Sequence, residues 1–588
     1  MQSELSSENG LPEGVHQKVF IDIAGEHLDK ETSKDSERKT DSKWVEEEFV
    51  EKFDREGNLI PKAGTFAKCT NWVHEAYIKA SNAEANDMFG SSVDIQGNRI
   101  VVGAYGEDSN QTTITNGPGA SANNGLFASG AAYVFARVNN LWQQEAYIKP
   151  SNANQKDMFG TAGVYYDSNY TWQNSVPTPD LYYDNNDSWT GAMYVAGQGI
   201  AMSGERLVVV ATGEDSGQMS ITNNATSSSD NGKSNSGAVY VYKKNGSSWV
   251  QEAYLKPSNA GTTDSFGSAV AIDGDTIVVG ARLEDSNTTT VWGNGSAPQD
   301  NNAQNSGGAY VFQFLNGQWT QTMFLKAKNS ESEDQFGASI SISGDLIAVG
   351  APFEDSSQTT ISNFPANIDV NNSAANRGAV YIFRKSGESI WWMTTYIKPS
   401  STNTHLFGRA VSISGNRLAV GSKGGNSVHL FKRVNGYWHP DTVLQGQFWS
   451  TVWEGHGLKL AGNRLVIGAP HDNNENFGIF QGNTPYSGGS SGGGAGYVYS
   501  LNNGIWSQEA FIHPETPSTM ASANYGITAS LSGNRLVLGA TYEGGSTTTI
   551  TNGPLNINLN ANGIYPRSGA VRVYACSNGI LPEAQMVK

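Results

Sequence analysis

Two sets of acidic residues in this chain could do chemistry. The triplet Glu-Asp-Ser occurs four times, each time in a polar stretch that follows a run of small residues, and an Asp stands two residues before four matching Phe-Gly pairs. If these carboxylates lie together, they can supply the oxygen ligands that Ca²⁺ prefers. The candidate metal ligands are Asp87, Glu107, Asp108, Asp264, Glu284, Asp285, Asp334, Glu354 and Asp355, and a further copy of the pattern holds Asp157, Glu214 and Asp215.

The acidic triplet also has a purely structural interpretation. Asp and Ser side chains cap turn amides and thereby order long loops. We favour this interpretation because the triplet recurs in every regular unit, although calcium stays open. The fifth unit has Ser422 and Lys423 followed by two glycines in place of the triplet, which fits either interpretation.

One aromatic insertion interrupts the second unit at residues 161–196. Tyr and Trp offer rigid contact area with a polar end, which suits recognition of a protein or a sugar. The alternative is a self-packed cap whose aromatic side chains form a small core of their own. The candidate ligand-binding residues are Tyr165, Tyr166, Tyr170, Trp172, Tyr182, Tyr183 and Trp189.

Other chemical motifs are missing from the sequence. It contains no phosphate-binding Gly-rich loop, no zinc-protease motif and no nucleophile motif, and His456 and His471 have no matching third ligand. The net charge of −17 argues against nucleic acid as a partner, and no apolar run is long enough to span a bilayer. We therefore expect no enzyme, no membrane insertion and no cofactor other than calcium.

The elements that position these residues come from a repeat. Phe-Gly followed by Gly-Ala returns along the chain, as at 89–104, 266–281 and 336–351. Each unit predicts four strands: an alternating strand after Phe-Gly, a continuous apolar strand, a strand of the type GAVYVY, and a strand that begins with Trp. The Trp-bearing strands lie near Trp72, Trp142, Trp249, Trp319, Trp392, Trp438 and Trp506.

Counting these strands predicts the architecture. Third strands and Trp-bearing fourth strands each occur seven times, so the sequence predicts an all-β, seven-bladed β-propeller over residues 65–588. The repeat opens with a fourth strand at Trp72 and closes with a third strand ending near Tyr574. We therefore expect the first and last strands to share one blade and close the ring.

The two cysteines of the chain fall at this seam. Alignment with an intact unit places Cys69 and Cys576 on either side of one tight turn, within disulfide distance. We therefore predict a disulfide, which would imply an oxidising compartment.

Residues 1–64 are rich in charge and are predicted to be disordered. A short helix there would place Val45, Phe49 and Phe53 on one face.

The whole pattern, complete in FGASISISGDLIAVGAP at 336–352, resembles the FG-GAP repeat of the integrin α-subunit propeller. It is also similar to FG-GAP repeats of bacterial surface and secreted proteins. The resemblance implies extracellular recognition or adhesion. Integrin repeats often hold calcium in an Asp-rich loop between the first two strands, whereas this chain has only a short turn there, which is too poor in carboxylates.

We therefore expect a monomeric, non-enzymatic propeller that binds a protein or glycan ligand through its long-loop face. A structural scaffold or assembly module, and a polysaccharide-binding protein with calcium-ordered loops, are the alternatives. The expected location is extracellular or at the cell surface. No secretory signal is visible at the N-terminus, so a location inside the cell stays open.

Overall fold

The structure is a computed structural model that describes most of the repeat region. The described residues are 52–53, 59–60, 68–161, 198–364, 368, 370–423, 427–446, 457–470, 472–474, 476–483, 493–513, 523–545, 547–553 and 566–577. The chain divides into two units, Met1–Ala63 and Gly64–Lys588. In the first unit, Lys52–Phe53 pairs antiparallel with Leu59–Ile60. Phe53 thus lies in a strand rather than in the predicted helix, and Val45 and Phe49 lie outside the described residues.

In the second unit, the described residues form seven antiparallel sheets, which we number as blades 1–7. The first to fourth strands of blade 1 are Ser92–Gln96, Arg99–Ala104, Ala131–Val138 and Leu141–Ile148. Those of blade 2 are Ile200–Ser203, Arg206–Ala211, Ala238–Asn245 and Ser248–Leu255. Those of blade 3 are Phe266–Asp273, Thr276–Ala281, Gly308–Leu315 and Gln318–Leu325. Those of blade 4 are Ser339–Ser343, Leu346–Ala351, Ala379–Ser386 and Ile390–Ile397.

The remaining blades follow the same order. Blade 5 contains His405–Ser414, Arg417–Lys423, Ser427–Val434 and Tyr437–Gln445. Blade 6 contains Leu458–Ala461, Arg464–Ala469, Ala495–Asn502 and Ile505–His513. Blade 7 contains Tyr525–Ser532, Arg535–Ala540, Ala570–Cys576 and, from the other end of the unit, Trp72–Ile78. No helix long and apolar enough to cross a membrane occurs in the described part of the chain.

The blades close into a ring. The first strand of each blade contacts the first strand of the next, and that of blade 7 contacts that of blade 1. Trp72–Ile78 pairs antiparallel with Ala570–Cys576, so the two ends of the repeat share one blade. Cys69 and Cys576 form a disulfide with their Cα atoms 5.7 Å apart. The predicted seven-bladed all-β fold is confirmed.

The Phe-Gly and Gly-Ala pairs recur because they form the contact between adjacent blades. A Cβ added at Gly103, at the end of a second strand, would lie 1.9 Å from the carbonyl oxygen of Gly160 in the next Phe-Gly pair. Gly160 itself has a φ of +100°, which L side chains rarely adopt. Phe159 packs edge-on against Tyr240 in the core between blades 1 and 2. The close packing of one blade on the next therefore requires the repeated Phe-Gly and Gly-Ala pairs.

A second contact joins the outer parts of the blades. Glu145 in the fourth strand of blade 1 accepts hydrogen bonds from Arg99 Nε at 2.9 Å and from Trp249 Nε1 of blade 2 at 3.1 Å. Glu75, Glu252, Asp441 and Glu509 accept from Trp142, Trp319, Trp506 and Trp72 in the same way. Blade 3 has Thr322 at this position and Thr276 in place of the arginine. The indole Nε1 of the buried Trp391 has no hydrogen-bond partner among the described residues.

The structure corrects the sequence interpretation at two points. The Trp that fills the repeated buried position in blade 4 is Trp391, whereas Trp392 is 54% exposed. The prediction of four strands per blade also omits a short fifth segment at the outer edge, which we call the cover segment. Cover segments occupy residues 114–116, 221–223, 291–293, 361–363, 479–481 and 550–552 in blades 1, 2, 3, 4, 6 and 7, where the long loop after the second strand returns to pair with the fourth strand.

Candidate functional site: the long-loop face

The Glu of the acidic triplet is the centre of a buried hydrogen-bonded cluster. Glu107 in blade 1 accepts from Lys149 Nζ at 2.8 Å, from the Tyr147 hydroxyl at 2.7 Å and from Asn82 Nδ2 at 3.1 Å. Lys149 also donates to Ser129 Oγ at 2.6 Å. Each of these groups is therefore paired, as burial of a charge requires.

The same cluster recurs in three further blades. Glu214, Glu284 and Glu354 accept from Lys256, Lys326 and Lys398 respectively. An Asn from the preceding connection joins each one: Asn152, Asn259 and Asn329. The pKa of each lysine in these four pairs is lowered, because the effect of burial outweighs the opposite effect of the partner glutamate. The glutamates thus anchor the long loops to the outer strands.

The Asp and Ser of the triplet hold the loop backbone. Asp108 Oδ1 accepts from the backbone N–H of Ala128 at 2.7 Å, and Ser109 Oγ accepts from that of Gln111 at 3.1 Å. Asp215, Asp285 and Asp355 accept from the matching backbone N–H groups of Asn235, Asn305 and Asn376. This is the capping role expected of Asp and Ser in turns.

The Asp before each Phe-Gly pair is buried beside the triplet. Asp87 accepts from the backbone N–H of Glu84 at 2.7 Å. Burial raises the pKa of Asp87, and the nearby Glu107 and Asp108 raise it further. For the same reasons the pKa of Asp264 rises to about 7 and that of Asp334 to about 8, and that of Asp157 is also raised.

The predicted calcium ligands are therefore brought together in each regular blade, but within a network that the protein itself supplies. In the described part of the chain, no group of three or more His, Cys, Asp or Glu residues is arranged to hold a metal ion. The carboxylates of the triplet accept hydrogen bonds from lysine, tyrosine, asparagine and backbone groups. Calcium binding stays a prediction.

The predicted aromatic ligand-binding residues, Tyr165 to Trp189, fall at 162–197, outside the described residues. Their role also stays a prediction. The sequence interpretation overlooked the lysine that pairs with each triplet glutamate. The sequence did contain a signal for this pair, because blade 5 lacks both the glutamate and the lysine. Ser422 stands in the triplet region and Gln445 in the lysine position.

A groove of about 680 Å³ lies along the fourth strand of blade 3. It is lined by the exposed Trp392, by the uncharged polar side chains of Thr320, Gln321 and Asn294, and by Met219 from the loop of blade 2. Thr322 takes the place of the carboxylate at this junction, as Thr394 does at the junction of blades 4 and 5. The cover segment of blade 3 also has Gly293 where most others carry Asn.

The ring of seven radial sheets defines the chain as a β-propeller. Three of its repeats match the family model described as "FG-GAP repeat", at residues 72–135, 249–312 and 319–383. Each match runs from the fourth strand of one blade to the third strand of the next, so the predicted resemblance to FG-GAP repeats is confirmed.

Other comparisons add little. No curated protein matches the chain. Similar solved structures include a putative 6-phosphogluconolactonase from Bacteroides uniformis, with 9% identity, a TM-score of 0.33, and coverage of 72% of this chain and 87% of that one. Another is the β-propeller domain of Cps50 (Swd1) from Myceliophteria thermophila, with 8% identity, a TM-score of 0.39, and coverage of 87% and 99%. Neither bears on the function of this chain.

Proposed function

We propose that this protein is a non-enzymatic, extracellular recognition or adhesion module that binds a protein or a glycan through its long-loop face. The supporting observation is the repeated Glu–Lys–Asn cluster, which anchors the long loops of four successive blades. Loops held on a rigid scaffold are a common place for binding residues. The exposed parts of these loops are rich in Asn, Ser and Thr, which suit hydrogen bonding to sugars or peptides. The disulfide supports an oxidising location.

The test uses the full chain on an array of glycans and an array of secreted proteins. The matched variant replaces residues 161–196 with a short Gly-Ser linker, and a control variant carries Asn98→Ala in the hairpin turn between the first two strands of blade 1. We expect saturable binding to members of one array, lost in the linker variant and kept in the control. Binding to neither array would contradict the proposal, and binding that survives loss of the insertion would exclude the insertion as the part of the long-loop face that binds.

A second candidate function is glycan binding in the groove beside Trp392. An exposed indole next to side-chain amides and hydroxyls can stack on a sugar ring and bond its hydroxyl groups. Trp392→Ala should then lower the affinity for a glycan bound by the full chain. Trp292→Ala is the matched control, because Trp292 is 41% exposed but does not line the groove. Equal effects of the two substitutions would count against the groove.

A further inference from the structure

The cover segments show what the outer edge of a blade requires. In blade 2, Thr222 and Tyr254 exchange two backbone hydrogen bonds of 2.9 Å, which pair the cover segment with the fourth strand. An Asn of the segment then reaches the next blade. In blade 1, Asn116 Oδ1 accepts from the backbone N–H of Trp249 at 2.6 Å, and its Nδ2 donates to the Trp249 carbonyl at 3.3 Å.

An apolar residue two positions before this Asn completes the contact. Ile114 packs against the core formed between blades 1 and 2. The equivalent residues of the other five cover segments pack in the same way against the adjoining cores: Ile221, Val291, Ile361, Ile479 and Ile550. A cover segment thus supplies a backbone edge, an apolar side chain and, in most copies, a side-chain amide.

In the described part of the chain, blade 5 has no such segment of its own. Its second and third strands are joined by residues 424–426 alone, and Ser422 pairs directly with Ser427. These three residues are too few to return along the fourth strand. Among the described residues, no strand pairs with the outer edge of Tyr437–Gln445.

The uncovered edge exposes groups that are buried in every other blade. Val443 is 43% exposed, whereas Tyr77, Tyr147, Tyr254, Phe324, Tyr396 and Phe511 at the same position are fully buried. Trp506 of blade 6 is partly exposed, whereas the six other tryptophans at its position are at most 2% exposed. A cavity of about 310 Å³ lies beside it, lined by Gln445, Asn483, Tyr497, Tyr499, Trp506, Ser507 and Gln508.

We propose that the junction of blades 5 and 6 is an acceptor site for an extended peptide of a partner protein. The peptide adds antiparallel to Tyr437–Gln445 at Thr442 and Val443, as other proteins accept a strand at an open sheet edge. Its sequence follows the cover segments: Ile or Val, then Thr or Ser, then Asn. The apolar residue enters the cavity, and the Asn amide bonds the backbone of Trp506.

Two observations favour this occupant. The site is continuous with the established interface between blades 5 and 6, where the core lacks the apolar side chain that a cover segment supplies elsewhere. A second copy of this chain fits less well, because its cover segments already pair with its own blades and its exposed edge strand carries no Ile-x-Asn triplet. Pro440 precedes the two pairing residues and leaves the outward backbone N–H of Val443 available.

The first test is the binding of a fluorescein-labelled peptide, TTITNGP, to the full chain, measured by fluorescence anisotropy. This sequence is that of residues 112–118. The control peptide, TTDTLGP, has Asp in place of the Ile and Leu in place of the Asn. We expect saturable binding of the first peptide and at least about tenfold weaker binding of the control, since an apolar contact and two hydrogen bonds are lost.

Variants of the chain locate the site. Val443→Pro removes the outward N–H and should abolish binding, whereas Val443→Thr keeps the backbone and should bind normally. Circular dichroism checks that both remain folded. A second variant replaces residues 423–426 with residues 105–130, which supply a cover segment, and should also lose binding.

The proposal is overturned by any of four results: absence of peptide binding, equal binding of both peptides, binding that survives the loop graft, or self-association that Val443→Pro abolishes. It does not depend on the function proposed above.

Discussion

At the scale of single residues, the glutamate of the acidic triplet is a buried ionic anchor. Glu107 and Lys149 are almost completely buried, and each is bonded to further polar groups. The sequence predicted a capping role for the triplet, which the Asp and Ser fill. It could not predict the lysine partner, because the two residues lie on different strands and are brought together only by the pairing of the blade.

Lys149→Met should destabilise the propeller strongly. Glu107 would then be a buried carboxylate without its counter-ion, and loss of one partner of such a pair costs about 3–5 kcal/mol. Adding Glu107→Gln should restore part of the loss. Urea unfolding of the single and double variants measures the coupling. The control is Arg384→Met, whose exposed ion pair with Asp345 should contribute no more than about 1 kcal/mol. Similar losses of unfolding free energy in Lys149→Met and Arg384→Met would contradict the anchoring role.

The buried aspartates make stability depend on pH. Asp334 has its pKa raised to about 8, against about 3.9 in an unfolded chain. Between these values the folded protein holds a proton on Asp334 that the unfolded chain has lost, so the stability that this group contributes is fully present below a pH of about 4 and is lost as the pH rises to 8.

Asp334→Asn should therefore reduce this loss of stability. The variant keeps an acceptor for the backbone N–H of Glu331 and should be more stable than the parent at pH 9, by at least about 1 kcal/mol, but not at pH 4. Urea unfolding at both pH values measures the difference. Glu388→Gln, at an exposed carboxylate, is the control. A gain that is the same at both pH values would show that the raised pKa is not its cause.

At the scale of elements, five pairs of neighbouring blades are joined by a bond between a carboxylate of one blade and the indole of the next. The sequence showed the repeated Trp and Glu but not that they contact each other across blades, since the contact joins neighbouring units. The sequence also placed Trp392 in the repeated position, because two adjacent tryptophans cannot be distinguished by pattern alone. The cover segments were missed because two or three residues in a long polar loop give no alternating pattern.

At the junction of blades 3 and 4, two substitutions can introduce the carboxylate–indole bond. Thr276→Arg with Thr322→Glu recreates the pair seen in blade 1 and gives Trp391 Nε1 an acceptor. The groove beside Thr322 provides room for the longer side chain. The double variant should gain about 1–2 kcal/mol in unfolding free energy. Thr276→Arg alone should destabilise, since it adds a cation without its partner. A double variant no more stable than the parent would contradict this account of the junction.

At the scale of the whole molecule, the ring and its closure followed from counting strands and from the phase of the repeat. The sequence could not show that blade 5 lacks a cover segment, because the cover segments themselves were not recognised. The predicted aromatic site lies at residues that the structure does not describe, so the role of the insertion in binding stays a prediction from the sequence.

The disulfide should contribute to stability over the whole ring. It joins residues 507 positions apart, and the chain-entropy model gives an upper value of about 6 kcal/mol for a loop of this length. Cys69→Ser with Cys576→Ser should unfold at lower urea than the parent, and the parent in reductant should match it. The double variant should be insensitive to reductant. A parent whose unfolding is the same with and without reductant would show that the bridge does not hold the ring.

The closed ring itself is tested most directly by mapping cysteine linkage after oxidation of the purified, folded chain. Oxidation in vitro makes the result independent of the compartment in which the protein resides. Mass spectrometry of non-reduced peptides from the monomer should show one linked pair, which contains Cys69 and Cys576. Thiols that both stay open to alkylation in the folded protein, or that link only between molecules, would mean that the two ends of the repeat do not meet.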